Sequence, residues 1–196
     1  MNSIKNDQGF TYLQDEKRIK KNSSYMNVYG DLEELIVSIA MIKAMCTDNI
    51  VLEQYNVINL FSQLQKQLMD VSKIIITPID SYINDGVYDY LNKFDFPESI
   101  IKSIEKEIDY LENQLPKNRK TNLLTTTNQI ICQIHIARTI ARRVERSFLD
   151  HLDIMHGSVC FVAQLVHIDK NIRTYLNRIS DLLNVLTHYI ESILSQ

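Results

Sequence analysis

Four arginines crowd into nine positions of the stretch Ala137-Arg138-Thr139-Ile140-Ala141-Arg142-Arg143-Val144-Glu145-Arg146. A guanidinium is planar, always charged and able to grip a carboxylate or phosphate through paired N–H donors. At helical spacing Arg138, Arg142 and Glu145 stand at i, i+4 and i+7, so two cations and a carboxylate project from one stripe. That stripe suits phosphates, ribose hydroxyls or an acidic neighbour. It also describes a solvated, salt-bridged helix face, where exposed pairs contribute little. A second cluster, Tyr175-Leu176-Asn177-Arg178-Ile179-Ser180-Asp181, gathers an amide, a guanidinium, a hydroxyl and a carboxylate within about two helical turns. Asn177 and Asp181 share a face, and they can serve a ligand or satisfy Arg138 or Arg142 across neighbouring helices. Near the start, Asp7-Gln8-Gly9-Phe10-Thr11 followed by Lys17, Arg18, Lys20 and Lys21 reads either as a flexible cationic loop or as a disordered polar tail.

The elements that must position these groups are helices. Four glycines and three prolines are too few for a turn-rich all-β chain. Apolar residues three and four apart predict a first helix from about Leu32 to Met45, with Asp31 as its N-cap and Leu35, Ile39 and Ile42 on one face. A second runs from Val51 to about Ile76 on Val57, Leu60, Phe61, Leu64, Leu68 and Val71, and Thr77-Pro78 stops it. Between Asp80 and Asp95 the spacing of Tyr82, Tyr88, Tyr90 and Phe94 fits no single element. Pro97 suits a first helical position, and Ile100, Ile101, Ile104, Ile108 and Leu111 carry that helix to Pro116. The polar run Lys117 to Thr127 is a loop feeding a helix from Asn128 through about Leu152, whose buried stripe is Ile131, Ile134, Ile140, Val144 and Phe148. A last helix, about Ile172 to Leu194, turns Leu176, Ile179, Leu183, Leu186 and Ile190 inward. The expected architecture is all-α: one antiparallel bundle of about five long helices in a single domain over residues 1–196.

Bulk properties narrow the partners. A net charge of −3 gives no general attraction to nucleic acid or acidic membranes, so a polyanion must be held by a local basic cluster. No stretch approaches the ~20 apolar residues of a membrane span, and residues 1–21 lack the apolar core of a signal peptide. Cys46, Cys132 and Cys160 are odd in number, far apart and set among apolar neighbours, which fits reduced core thiols and a cytoplasmic protein. No histidine or cysteine spacing suggests a protein-held metal, and His135 reads as a core or interfacial residue.

In chain order these segments resemble the PduO-type ATP:corrinoid adenosyltransferases over nearly the whole chain. That family's phosphate loop T-K-T-G-D-x-G-x-T is matched by Asp7, Gly9 and Thr11, its R-V-x-K by Arg18-Ile19-Lys20-Lys21, and its Y-G-T-V-D-E-L-N by Tyr29-Gly30-Asp31-Leu32-Glu33-Glu34-Leu35. Its L-H-x-A-R-T-x-x-R-R-A-E-R is similar to Ile134 through Arg146, and its Y-L-N-R-L-S-D to Tyr175 through Asp181. The chain departs from the pattern at Ser3-Ile4-Lys5-Asn6, where the family has T-K-T-G. It departs again at Asn122-Leu123-Leu124-Thr125-Thr126-Thr127, where the family has F-I-L-P-G-G.

The resemblance implies transfer of the 5′-deoxyadenosyl group from ATP to the reduced cobalt of cob(I)alamin, with release of triphosphate. It implies that residues 1–25 form a nucleotide-binding segment. Asp7, Gly9, Thr11, Arg18, Lys21, Arg138, Arg142, Glu145 and Asn177 would bind ATP with Mg²⁺, Arg138 and Arg142 being the catalytic pair. Asn122 would face the corrinoid, in place of the family's phenylalanine. Glu33 would meet Arg138 between subunits of a homotrimer, and a corrinoid-reducing or adenosylcobalamin-dependent enzyme would be a further partner. The competing expectation is a catalytically impaired relative that binds ATP or corrinoid as a carrier, sensor or assembly subunit.

Overall fold

The computed structural model describes residues 8–13, 16–47, 49, 52, 56–77, 95–117, 126–156 and 165–195. Asp7, Asn122, Cys160 and the tyrosine-rich stretch 80–94 lie outside them. Among the described residues five helices carry the architecture: α1 (Ser24–Thr47), α2 (Val57–Ile76), α3 (Glu98–Gln114), α4 (Gln129–His156) and α5 (Leu165–Leu194). A small antiparallel hairpin, β1 (Phe10–Tyr12) and β2 (Arg18–Lys20), precedes them, with Thr11 opposite Ile19. The all-α bundle of five long helices is what the periodicity predicts, and the hairpin replaces part of the expected N-terminal loop.

Each helix buries the stripe that its spacing draws. On α1 this is Val28, Leu32, Leu35, Ile39, Ile42 and Cys46, and on α2 it includes Phe61, Leu64, Leu68 and Val71. Ile131, Ile134, Ala137, Ala141, Val144 and Phe148 of α4 meet Ile172, Leu176, Ile179, Leu183 and Ile190 of α5 in one continuous core. Helix α1 packs against α2 and α4, α4 against α5, and α5 against α3. Contacts from Ser24 to His151, Asp31 to Ser147 and Ser38 to Gln133 show that α1 and α4 run antiparallel. Contacts from Phe96 to Asn171 and Glu105 to Arg178 show that the next-but-one helices α3 and α5 run parallel, as an up-and-down bundle requires.

Several boundaries move. Asp31 is not an N-cap: α1 begins at Ser24, because the apolar stripe extends back to the fully buried Val28. Gly30 falls on the exposed side of that helix, and Asp31 faces α4. Pro97 precedes α3 in an extended conformation (φ −72°, ψ 145°), one position before the helix that it was expected to open. Helix α4 runs on to His156, and α5 starts at Leu165 because Ile168 and Ile172 prolong its buried face. The start of α4 is capped by Asn128, whose Oδ1 accepts from the backbone N–H groups of Ile130 (3.0 Å) and Ile131 (3.2 Å). At the end of α2 the Thr77 hydroxyl donates to the Lys73 carbonyl at 2.8 Å.

Candidate functional site

Helix α4 has polar groups on both flanks of its buried stripe, and the two flanks are satisfied differently. Toward α1, the Arg143 Nε donates to Asp31 Oδ1 at 3.0 Å, its Nη2 pairs with Glu34, and the Ser147 hydroxyl donates to Asp31 Oδ2. One guanidinium and two carboxylates thereby join the two helices. Farther along the same seam Gln133 Nε2 donates to the Ser38 hydroxyl at 3.0 Å. At its other end Ser24 Oγ lies 3.0 Å from His151 Nδ1, and the Tyr25 ring stands edge-on to the imidazole at 4.4 Å. Burial pushes the His151 pKa down to about 4, so the ring is neutral near pH 7.

Toward α5, Asn177 Nδ2 donates to Glu145 Oε1 at 3.1 Å, which brings together two of the expected nucleotide-binding residues across the helix interface. Asp181 and Asn177 do not satisfy Arg138 or Arg142. Both are held by Arg178, which also reaches Glu105 on α3. Arg142 is exposed and makes no hydrogen bond or ion pair among the described residues. Arg138 is half-buried, with its Nε withdrawn from solvent and without a partner. One turn earlier both ring nitrogens of His135 are likewise buried and unpaired, and burial together with the Arg138 charge lowers its pKa. Buried donors and acceptors are normally satisfied, so these nitrogens are exceptions among the described residues.

Glu33, the expected partner of Arg138, is exposed on α1, and burial together with the neighbouring Glu33 carboxylate raises the Tyr29 pKa. No Glu33–Arg138 ion pair forms within one chain. The N-terminal candidates gather on the hairpin. Gly9 has φ +79°, a left-handed conformation that only glycine adopts without strain, and its carbonyl accepts from the Lys21 N–H at 2.9 Å. Thr11 is half-buried in β1, while the Arg18 guanidinium of β2 lies 3.9 Å over the Phe10 ring. Lys21 is exposed where the hairpin meets α1.

Spacing alone did not single out Arg143, Glu105 or the Asp31 carboxylate as parts of these networks. Each acts through residues far away in the chain. The pairing of Arg178 with Asp181 has a weak signal in the sequence, their i, i+3 interval. Among the described residues no group of three or more His, Cys, Asp or Glu side chains could cage a cation. No helix among them is long and apolar enough to cross a membrane.

This arrangement offers two under-used guanidinium groups beside an amide–carboxylate pair, a set suited to a polyanion joined to a hydroxyl-bearing group. Comparison with known proteins places nearly the whole chain in a family. The family model described as cobalamin adenosyltransferase matches residues 3–190. The chain is similar to a corrinoid adenosyltransferase of Mycobacterium leprae (strain TN), 26% identical over 181 residues that cover 92% of this chain and 85% of that protein. A corrinoid adenosyltransferase of Mus musculus is 24% identical over 183 residues, 93% of this chain and 69% of that one. Among solved structures, a variant PduO-type ATP:corrinoid adenosyltransferase from Lactobacillus reuteri complexed with cobalamin and ATP shares the fold. Its TM-score is 0.77 at 22% identity, covering 99% of this chain and 94% of that one. A variant of that type complexed with ATP aligns with a TM-score of 0.75, covering 100% of this chain and 97% of that one.

Proposed function

Because this chain belongs to the cobalamin adenosyltransferase family, we propose that it transfers the 5′-deoxyadenosyl group of ATP to cob(I)alamin and releases inorganic triphosphate. Cobalt supplies the electron pair, a Co–C5′ bond forms, and the bond from C5′ to the triphosphate oxygen breaks. The protein then has no need of a nucleophilic side chain. Its work is to hold the triphosphate in line and to stabilise the charge that grows on the leaving oxygen. Arg142 carries this reading: an exposed guanidinium without a partner among the described residues, on the same helix flank as the Glu145–Asn177 pair. Arg138, with its orphaned Nε, joins it on the phosphates. Glu145 and Asn177 take the ribose and base, while Gly9, Thr11, Arg18 and Lys21 of the hairpin, with Asp7, form the rest of the ATP site.

A Mg²⁺ ion would arrive with ATP, because that cation keeps much of its water and binds chiefly through phosphate oxygens with few protein ligands. The residues on the α4 flank fit that arrangement, being cationic rather than a carboxylate cage. An anaerobic assay of adenosylcobalamin formation from ATP and cob(I)alamin tests the function. ATP with Mg²⁺ should also raise the thermal midpoint by mass action. ATP stabilisation without any adenosylation would instead identify a binding protein that has lost the reaction.

The functional assembly we infer is a homotrimer with Glu33 of one subunit against Arg138 of the next. Val37 (67% exposed) and Met41 (56%) follow Glu33 at helical spacing on α1, and Ile136 (50%) lies between His135 and Arg138 on α4. A second copy would cover these apolar side chains. Sedimentation of a monomer at micromolar concentration would overturn the trimer. On the corrinoid side, Asn122 offers a polar amide where the resemblance expects an apolar ring that keeps the lower ligand off cobalt. Adenosylation should therefore be measurable from prereduced cob(I)alamin and poor when a mild reductant must act on cob(II)alamin, and Asn122→Phe should narrow that gap. The single-domain, cytoplasmic reading rests on the continuous core and on the unpaired thiols of Cys46 and Cys132. A corrinoid-reducing or adenosylcobalamin-dependent enzyme would be the source or the recipient of the corrinoid.

A further inference from the structure

Four polar side chains form an unbroken chain from α3 to α4 across the outer face of α5. Arg178 Nε donates to Glu105 Oε1 at 3.0 Å, and its Nη1 donates to Asp181 Oδ2 at 2.7 Å and to Asn177 Oδ1 at 3.2 Å. Asn177 Nδ2 then donates to Glu145 Oε1 at 3.1 Å. A primary amide has two ends of similar shape and opposite hydrogen-bonding sense, so its orientation is set by its partners. Here a donor sits on the oxygen and an acceptor on the nitrogen, and both select the same orientation. The guanidinium is itself held by carboxylates from two helices, and its planar fork fixes all three contacts at once. Glu145 thus has one carboxylate oxygen occupied, and the other makes no hydrogen bond among the described residues.

We propose that Arg178, clamped by Glu105 and Asp181, is a positioning residue for the nucleoside end of the site, holding Asn177 and through it Glu145 so that a free carboxylate oxygen accepts from a nucleoside hydroxyl. This rests on the ATP site proposed above. It separates the site into two parts: a triphosphate end that depends on Arg138 and Arg142, and a nucleoside end that depends on a network anchored in α3. Each part therefore has its own probe.

The test compares the dissociation constants of ATP and of inorganic triphosphate in the full chain, by calorimetry, for the wild type and for Arg178→Met, Arg178→Lys, Glu105→Gln and Asn177→Ala. Losing the fixed amide should weaken ATP about tenfold in Arg178→Met, the worth of one hydrogen bond to a charged group. Inorganic triphosphate, which lacks the nucleoside, should bind as before. Arg178→Lys keeps the charge and a donor and should recover part of the ATP affinity, while Glu105→Gln keeps an acceptor for Nε and should lose less than Arg178→Met. Equal weakening of both ligands, or a lower thermal midpoint with ATP affinity unmoved, would make Arg178 only a clamp between α3 and α5 and overturn the proposal. If Asn177→Ala leaves ATP affinity unchanged, the ATP site assignment itself fails. If Asn177→Ala weakens ATP and Arg178→Met does not, the positioning role alone fails.

Discussion

Helix α4 sets two fates for one residue type within a few positions. Arg143 faces α1 and is neutralised by Asp31 and Glu34, with Ser147 completing the carboxylate. Arg138 and Arg142 lie on the other flank with Glu145, which keeps one carboxylate oxygen free while Asn177 holds the other, and the Asp181 carboxylate is taken by Arg178. The seam with α1 spends its charges on holding helices together, whereas the flank toward α5 leaves positive charge unspent. A pair of guanidinium groups without an acidic partner among the described residues adds little to stability alone, and it becomes favourable once a polyanion binds. The difference lies in the neighbours, not in the arginines.

The sharpest way to break this contrast is Arg142→Ala. Adenosylation should fall by about 10²–10³-fold, the usual effect of removing one donor that stabilises developing charge. The ATP-induced rise in thermal midpoint should vanish while the ligand-free midpoint barely moves. A large loss of ligand-free stability would place Arg142 with Arg143 as a structural residue.

The seam with α1 should instead respond to acid through His151. Its folded pKa of about 4 lies below the ordinary 6.5, so between these values the unfolded chain binds more protons than the folded one. Stability contributed by the neutral ring is complete above about pH 6.5 and is lost as pH falls through about 4, by about 3 kcal/mol in all. Urea denaturation at pH 7 and pH 4.5 should give a steeper fall for the wild type than for His151→Gln. Parallel falls would show that the ring does not titrate as its burial demands.

Asp31→Ala removes the acceptor shared by Arg143 and Ser147 and should cost about 1–3 kcal/mol in urea denaturation. ATP affinity should be unaffected, and a loss there would merge the two flanks into one network. The smallest effect belongs to Glu34→Gln: the pair with Arg143 is solvent-exposed, and its loss should cost no more than about 1 kcal/mol. A larger cost would mean that the exposed half of this bridge matters as much as the half at Asp31.

The helices were legible because burial repeats with the helical period. Leu35, Ile39 and Ile42, or Ile131, Ile134 and Val144, state which face goes inward before any partner is known. Asp31 was misread for a related reason. Gly30-Asp31 looks like a helix start, but a glycine on the exposed side of a helix costs only about 1 kcal/mol against alanine, and burial of Val28 and Leu32 outweighs it. The ends of α4 and α5 moved outward because terminal turns follow packing rather than propensity. The candidate site is legible as a set of residue types: spacing and resemblance single out Arg138, Arg142, Glu145 and Asn177, of which the structure joins Glu145 to Asn177. The partners are not legible, since Glu105, Asp31 and Glu34 lie 73 to 112 positions from the arginines that they meet.

By itself, then, the sequence determined the helical class, the inward face of each helix and the group of side chains proposed to grip a nucleotide. Periodicity and residue chemistry are local properties of the chain. Only the tertiary structure decided which arginine is neutralised and which is left without an acidic partner among the described residues. That choice depends on which helix lies beside each flank of α4, and electrostatic pairing acts over a few ångströms in space whatever the distance along the chain.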